Sequence, residues 1–251
     1  MKISEEPKVA RARCHTNPNV SCSDCRLGAL CLPIALSTEE VDQLDEIVKR
    51  GRPLQKGDHL FRESDEFHSV YAVRSGSFKA YSITDSGEVQ VTGFYLPGEI
   101  LGMDGISSRH HCASAVALEV SSVCEIPFER LEGLATKLPS LQHHFFRIMG
   151  KEIIKDQQML TLLGCNSADE RLSSLLLSIS ARNSSRHLSA TKFRLAMTRS
   201  DIGNYLGITV ETVSRSFGRL QKNNVLKVTN KEIEILDMDA LKKAANVNQD
   251  K

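Results

Sequence analysis

The stretch Thr198-Arg-Ser-Asp-Ile-Gly-Asn-Tyr-Leu-Gly-Ile-Thr-Val-Glu-Thr-Val-Ser-Arg-Ser-Phe-Gly-Arg-Leu220 reads as two short helices joined by a turn. Thr198 and Thr209 each stand just before a run with apolar residues at helical spacing. Ile202 and Leu206 mark the inner face of the first run, and Val213, Phe217 and Leu220 that of the second. A threonine in that place accepts a hydrogen bond from the free N–H groups of the first turn. Gly207 supplies the sharp turn between crossing helices. The outer face of the second helix is then Glu211, Thr212, Ser214, Arg215 and Arg219. Polar side chains there, close to a helix N-terminus, can reach base edges in a DNA major groove. A structural helical hairpin would need the apolar positions but not the polar outer face. Downstream, Val225-Leu-Lys-Val and Glu232-Ile-Glu-Ile-Leu flank a turn and read as a two-stranded wing.

Charge supports this reading weakly. Residues 168–251 carry 14 Lys and Arg against 9 Asp and Glu, while the rest of the chain carries 18 against 22. A basic C-terminal third on an acidic body suits a nucleic-acid module. Upstream, Leu172, Leu175, Leu176 and Ile179 mark another helix, and Asn183-Ser-Ser-Arg-His reads as loop.

Before that lies a helix opened by Pro139 and running to about Gly164. Its seam, Phe146, Met149, Ile153, Asp156, Leu160 and Leu163, steps by three and four residues, the spacing of a heptad. A second row of Phe145, Ile148, Ile154 and Leu162 is expected to pack on the domain before it, leaving the seam for a second copy of the chain. Asp156 is the odd member. In a two-fold pair, carboxylates about 5 Å apart at an effective dielectric near 20 repel by roughly 3 kcal/mol, about two orders of magnitude in association. Such a dimer is marginal, and a marginal dimer can be switched.

From about Gly51 to Pro127, glycines punctuate short apolar runs: Ser69–Arg74, Ser77–Ile83, Glu88–Tyr95 and Ser121–Ile126. This texture indicates an antiparallel barrel or jelly roll, with Thr84-Asp-Ser-Gly87 as a hairpin turn. Ser37 with Glu40 three residues on begins a short helix. The fold class is therefore α+β. The expected divisions are a flexible tail over 1–21, a cysteine loop and β-roll over 22–138, a dimerisation helix over 139–165, and a winged helix-turn-helix over 166–251.

Three cysteines lie close together in Cys22-Ser-Asp-Cys25-Arg-Leu-Gly-Ala-Leu-Cys31. Thiolates suit zinc, copper(I) and iron–sulfur clusters. The chain has no second close pair of the kind zinc knuckles repeat, so a cluster drawing a fourth thiolate from afar fits better. Zinc and plain reduced thiols remain alternatives. Cys124, in the last strand, offers that distant thiolate, although a lone strand cysteine is more often a small core residue. Cys112 and Cys165 are expected to be core residues, and Cys14 a spare thiol in the tail.

The seven cysteines are an odd number, the start of the chain has no apolar core, and no run reaches the roughly 18 apolar residues of a membrane span. A cytoplasmic protein without membrane attachment is expected. No nucleophile–base pair suggests an enzyme, and His110-His111 and His143-His144 read as surface histidines. An electron-transfer role would leave the DNA-reading module unexplained.

Cysteine loop, β-roll, long helix and winged helix-turn-helix, in this order, resemble the Crp–Fnr family of bacterial transcription regulators, most closely its oxygen-responsive FNR and Anr branch. The segments that carry the resemblance are Cys22-x2-Cys25-x5-Cys31, Val73-Arg-Ser-Gly, Ile83-Thr-Asp, Val123-Cys-Glu-Ile-Pro-Phe-Glu, Asp169-Glu-Arg-Leu, Asp201-Ile-Gly-Asn-Tyr-Leu-Gly and Val210-Glu-Thr-Val-Ser-Arg. The resemblance implies a β-roll like that of cyclic-nucleotide-binding domains. It implies that Cys22, Cys25, Cys31 and Cys124 hold a 4Fe-4S cluster, that the loaded cluster favours the homodimer, and that oxygen converts the cluster to a two-iron form and releases monomers. It further implies that Glu211, Ser214 and Arg215 read a TTGAT-like half-site of a palindrome in double-stranded DNA, and that surface loops touch RNA polymerase. The turn Thr84–Gly87 and the loop around Ser75 are candidates for the last role. Two features depart from the branch. Arg26 follows the second cysteine where relatives have a smaller polar residue, and Cys14 precedes the ligand set. Met103, and His111 or Cys112, stand where the cyclic-nucleotide branch has a phosphate-binding glutamate and arginine, which argues against cyclic AMP. The alternative within the family is a regulator of small-molecule or haem response with zinc at the cysteines.

Overall fold

The structure is a computed structural model that describes residues 20–246. Cys14 and nearly all of the expected tail lie outside the described residues.

The chain enters through a turned loop and a short 3-10 turn over Leu32–Ala35, then helix α1 (Thr38–Ile47). Ser37 and Glu40 form the reciprocal cap expected there. Eight strands follow: β1 (Lys49–Arg50), β2 (His59–Phe61), β3 (Ser69–Ser75), β4 (Phe78–Ile83), β5 (Val89–Tyr95), β6 (Ile100–Leu101), β7 (Ser114–Ala117) and β8 (Ser122–Pro127). They make two antiparallel sheets, ordered β1-β8-β3-β6 and β2-β7-β4-β5, the jelly roll anticipated from the glycine punctuation. β4 and β5 pair throughout, with Ile83 opposite Val89 across the Thr84–Gly87 turn. β3 and β7 are buried on nearly every residue because helices and loops cover the faces the sheets do not give each other.

Helix α2 (Phe128–Ala135), which the sequence reading missed, leads into α3 (Pro139–Cys165). The foot of α3 is anchored: Leu141 and Phe145 are buried in one apolar cluster with Leu32, Leu44, Val70, Ile126 and Leu131. Its upper face is open, with Phe146, Ile153 and Leu160 exposed by 58%, 58% and 71%. Ile148 packs on the roll as expected and Leu162 on the cluster shared with the C-terminal domain, whereas Ile154 is exposed, because it stands on the opposite side of the helix from Glu152, which bonds Tyr95 of the roll.

α4 (Ala168–Ser185) runs through Asn183, where the sequence pattern suggests a loop. Then come β9 (Lys192–Arg194), α5 (Arg199–Leu206), α6 (Val210–Lys222), β10 (Leu226–Thr229), β11 (Glu232–Ile235) and α7 (Met238–Ala244). The wing is three-stranded, since β9 joins the far side of β11. A strand of three residues with one inward side chain, Phe193, carries almost no pattern in sequence. The core of this domain continues into the roll: Val91, Phe94 and Leu118 belong to the same cluster as Ile202, Leu206, Val213 and Phe217. Phe94 and Tyr205 meet with ring centroids 4.9 Å apart. Glu99 of the roll takes Arg182 and Arg186 of α4, and Lys79 of β4 pairs with Asp201 of α5.

Candidate metal centre and nucleic-acid interface

The helix-turn-helix is built by its caps. Thr198 accepts from the Asp201 N–H, while the Asp201 carboxylate accepts from the Thr198 N–H at 2.8 Å. Thr209 accepts from the Thr212 N–H at 3.2 Å. Gly207 sits at φ 61°, the left-handed conformation that ends α5, and its N–H bonds the Gly203 carbonyl. A Cβ on Gly203 would stand 2.7 Å from the Ile208 carbonyl oxygen, so the crossing of the two helices requires glycine there as well. Ile202, Leu206 and Val213 are fully buried between them.

These constraints point the second helix outward. Glu211, Ser214 and Arg215 are exposed on one face. The Glu211 carboxyl is held below the usual range by its own backbone N–H and then by the Thr209 hydroxyl, so it stands ionised as an acceptor. The Ser214 hydroxyl donates to the Val210 carbonyl, a bond it can exchange for a base. Thr212 is half-buried and turned to Thr209, which makes it part of the cap. Arg219 is exposed but engaged: Nε and Nη2 grip the Asp169 carboxylate of α4 at 2.6 and 2.5 Å. It therefore braces the recognition helix against α4. Sequence reasoning missed this because the partner lies 50 residues away. It also missed Arg199, whose guanidinium lies 3.4 Å from the centre of the Phe217 ring.

At the other end, the structure brings Cys22, Cys25, Cys31 and Cys124 to the wall of one apolar recess, together with Leu32, Leu44, Ala72, Arg74 and Ile126. The loop turns twice to do so, with the Gly28 N–H on the Cys25 carbonyl at 2.9 Å and the Cys31 N–H on the Leu27 carbonyl at 2.9 Å. Cys31 then leads into the 3-10 turn, and Leu32 is driven into the core. Cys124 stands in β8, paired through its backbone with Ala72 of β3 on one side and Arg50 of β1 on the other.

Burial dominates the chemistry of these thiols. It pushes Cys22 far above the ordinary thiol range, with the Asp45 carboxylate adding to the rise. It lifts Cys31 to about 12, and Cys124 also rises, although Arg50 and Arg74 oppose it. Such thiols ionise only when a ligand takes the place of their protons. Among the described residues, no three Cys, His, Asp or Glu stand close enough to clasp a single metal ion. Four soft donors around an apolar recess, from a loop and a distant strand, match the donor set of an iron–sulfur cluster.

The other cysteines and histidines depart from expectation. Cys112 and Cys165 are exposed, not core residues. His111 and His144 are buried, while their neighbours face solvent. His111 stacks on Phe61 at 3.7 Å and meets the Asp104 carboxylate at 3.2 Å. Both ring nitrogens of His144 are buried without a well-formed hydrogen bond; burial, followed by Arg147, lowers its pKa, and the nearby Cys31 backbone opposes that shift. Adjacent histidines on a helix or strand edge cannot face the same way, so one of each pair turns inward. A cavity of about 500 Å³ lies between the roll and α3. Its lining includes Asp104, Glu152 and Asp156 and no lysine or arginine. Burial and then Glu152 raise the Asp156 carboxyl. No helix among the described residues is long and apolar enough to cross a membrane.

The winged module, residues 170–244, matches the Crp-like helix-turn-helix domain, and residues 51–137 match the cyclic nucleotide-binding domain. The chain is 56% identical over 216 residues to the transcriptional activator protein Anr of Pseudomonas protegens, covering 86% of this chain and 88% of that one. It is 46% identical to the fumarate and nitrate reduction regulatory protein of Vibrio cholerae over 99% of both chains. Among solved structures it is similar to FixK2 from Bradyrhizobium japonicum. The TM-score is 0.73 at 27% identity, over 79% of this chain and 97% of that one.

Proposed function

The chain belongs to the Crp–Fnr family of DNA-binding transcription regulators, and from that footing we propose that it is an oxygen-responsive regulator of anaerobic metabolism with a 4Fe-4S cluster on Cys22, Cys25, Cys31 and Cys124. The observation that carries this reading is the meeting of four thiols, from a loop and a strand about a hundred residues apart, at one recess. When bound, the cluster supplies an oxygen-labile centre that ties the loop to the roll.

This chain's own residues pass the state of that tie to the dimer seam. Cys31 and Cys124 pack against the cluster of apolar side chains that holds Leu32, Leu141 and Phe145. Met149, the next seam residue, packs on the same cluster. A firm loop therefore sets the foot of α3, and α3 carries Phe146, Ile153 and Leu160 outward to a second copy. Asp156 opposes pairing, so small changes at the foot decide the oligomeric state. In the dimer, two recognition helices present Glu211, Ser214 and Arg215 to the half-sites of a palindromic TTGAT-type sequence. Arg215 can fork onto guanine O6 and N7, and Glu211 can accept from cytosine N4. The exposed Thr84–Gly87 hairpin offers RNA polymerase a contact. The acidic cavity beside α3 is poorly suited to a cyclic nucleotide phosphate.

The test is made on protein purified without oxygen. Iron, sulfide, visible absorbance and mass by light scattering are measured before and after air is admitted. Roughly four irons per chain, a dimer, and decay to monomers in air are expected. A colourless protein with one zinc and an air-indifferent dimer would overturn the oxygen reading and leave DNA binding in place.

A further inference from the structure

One arginine touches both halves of the cysteine recess. Arg50 ends β1, where its backbone pairs with Cys124 of β8. Its Nη2 lies 3.6 Å from the Cys22 sulfur. The same nitrogen pairs with the Asp45 carboxylate, and Asp45 Oδ1 accepts the Cys22 N–H at 2.7 Å. The Arg50 side chain is only 16% exposed, and its Nε is buried with no hydrogen-bond partner. A buried guanidinium with an idle donor is costly to keep. Ordinary packing does not call for it, since a surface strand end could turn the side chain to water.

We propose that Asp45 and Arg50 form a strut that positions Cys22 towards Cys124, with the Arg50 guanidinium offsetting the Asp45 carboxylate beside these two sulfurs. This rests on the assignment of the four cysteines as a ligand set. The roles of the two residues differ. Asp45 fixes the loop through the Cys22 backbone, but its negative charge disfavours a thiolate at the same residue. Arg50 cancels that charge and adds its own attraction to Cys22 and Cys124. Removing Arg50 alone therefore leaves a bare carboxylate beside a sulfur that must become negative. Removing both charges while keeping the hydrogen-bonding shape does less harm. Asparagine at 45 can still accept the Cys22 N–H.

The variants are Arg50→Gln, Arg50→Lys and the double variant Asp45→Asn/Arg50→Gln, with circular dichroism as the check on folding. Two readouts are used. The first is made on metal-free, reduced protein: a short bis-alkylating linker joins Cys22 to Cys124, and peptide mass mapping scores the yield. The second follows anaerobic reconstitution with ferrous iron and sulfide, scoring iron retained against a chelator. Arg50→Gln is expected to weaken iron retention about tenfold, the effect of losing one charge-assisted hydrogen bond. Arg50→Lys restores part of it, and the double variant recovers part of the loss of the single one. Linker yield falls in Arg50→Gln and stays closer to that of the parent in Arg50→Lys.

A double variant worse than Arg50→Gln would overturn the counter-charge role and leave only a structural pair. Unchanged linker yield and retention in Arg50→Gln would overturn the strut entirely. A parent that takes up no iron and sulfide would remove the cluster assignment and the ligand role with it, while the linker yields would still decide whether Asp45 and Arg50 position Cys22.

Discussion

The two ends of this molecule are finished in different ways. The helix-turn-helix closes itself: Thr198, Asp201 and Thr209 satisfy the first turns, Gly207 ends α5, and Ile202, Leu206 and Val213 are sealed from water. The cysteine end is left open. Its loop is held by turns rather than by helix or sheet, its thiols are half-buried, with burial raising Cys22 and Cys31, and Arg50 keeps an idle donor. A reading head has to be rigid before it meets DNA, and its sequence supplies that rigidity locally. On the proposed reading the cysteine end is a sensing site, which has to differ between two states, and a ligand from outside the chain supplies its last bonds.

That contrast can be broken by mutation. The largest effect is expected from Cys124→Ser, which removes the strand's thiol from the proposed ligand set. Anaerobic iron retention should be lost, while binding of a half-site oligonucleotide by the winged domain stays unchanged. Loss of both would mean that the ends are not separable. Asp156→Ala should tighten the dimer in air by about two orders of magnitude, since two carboxylates near 5 Å repel by roughly 3 kcal/mol. Sedimentation equilibrium decides this, and an unchanged monomer would show that Asp156 does not meet its copy. Arg215→Ala should weaken binding by about 1–3 kcal/mol per half-site and relax the preference for guanine at one position. A uniform loss across sequences in a gel-shift titration would instead assign it to phosphate.

The same contrast explains what could be read without a structure. The helix-turn-helix was legible in its caps, turn glycine and inner face because all lie within 23 positions, while the roles of Thr212 and Arg219 on the outer face were not. The roll was legible as a class, but β1, β2, β6 and β7 were not, because a two-residue strand has no period and β7 is buried on every residue. The cysteine set was legible as chemistry, while its convergence depended on a pairing between β8 and β3 that no local pattern encodes. Long-range partners were the common loss. Asp169 for Arg219, Lys79 for Asp201 and Asp45 with Arg50 for Cys22 are each invisible until the chain is folded. Burial within the histidine pairs was missed for a related reason: composition suggests surface, and only the packing of Phe61 on His111 shows otherwise.

The smallest expected effect tests how the closed end is tied to the rest. Asp201 serves two masters, the cap of α5 and Lys79 of β4. Burial alone would push its carboxyl up, but Lys79 and Thr198 outweigh that and hold it below the ordinary value. A carboxylate depressed in the folded state adds stability above its unfolded pKa of about 3.9 and loses it as pH falls through the folded value. Asp201→Asn should therefore cost about 1–2 kcal/mol in urea unfolding at pH 7, from a weakened cap and an unpaired lysine. The gap between parent and variant should close towards pH 3. A gap that persists in acid would mean that Asp201 acts through shape alone, and that Lys79 does not hold the reading head to the roll.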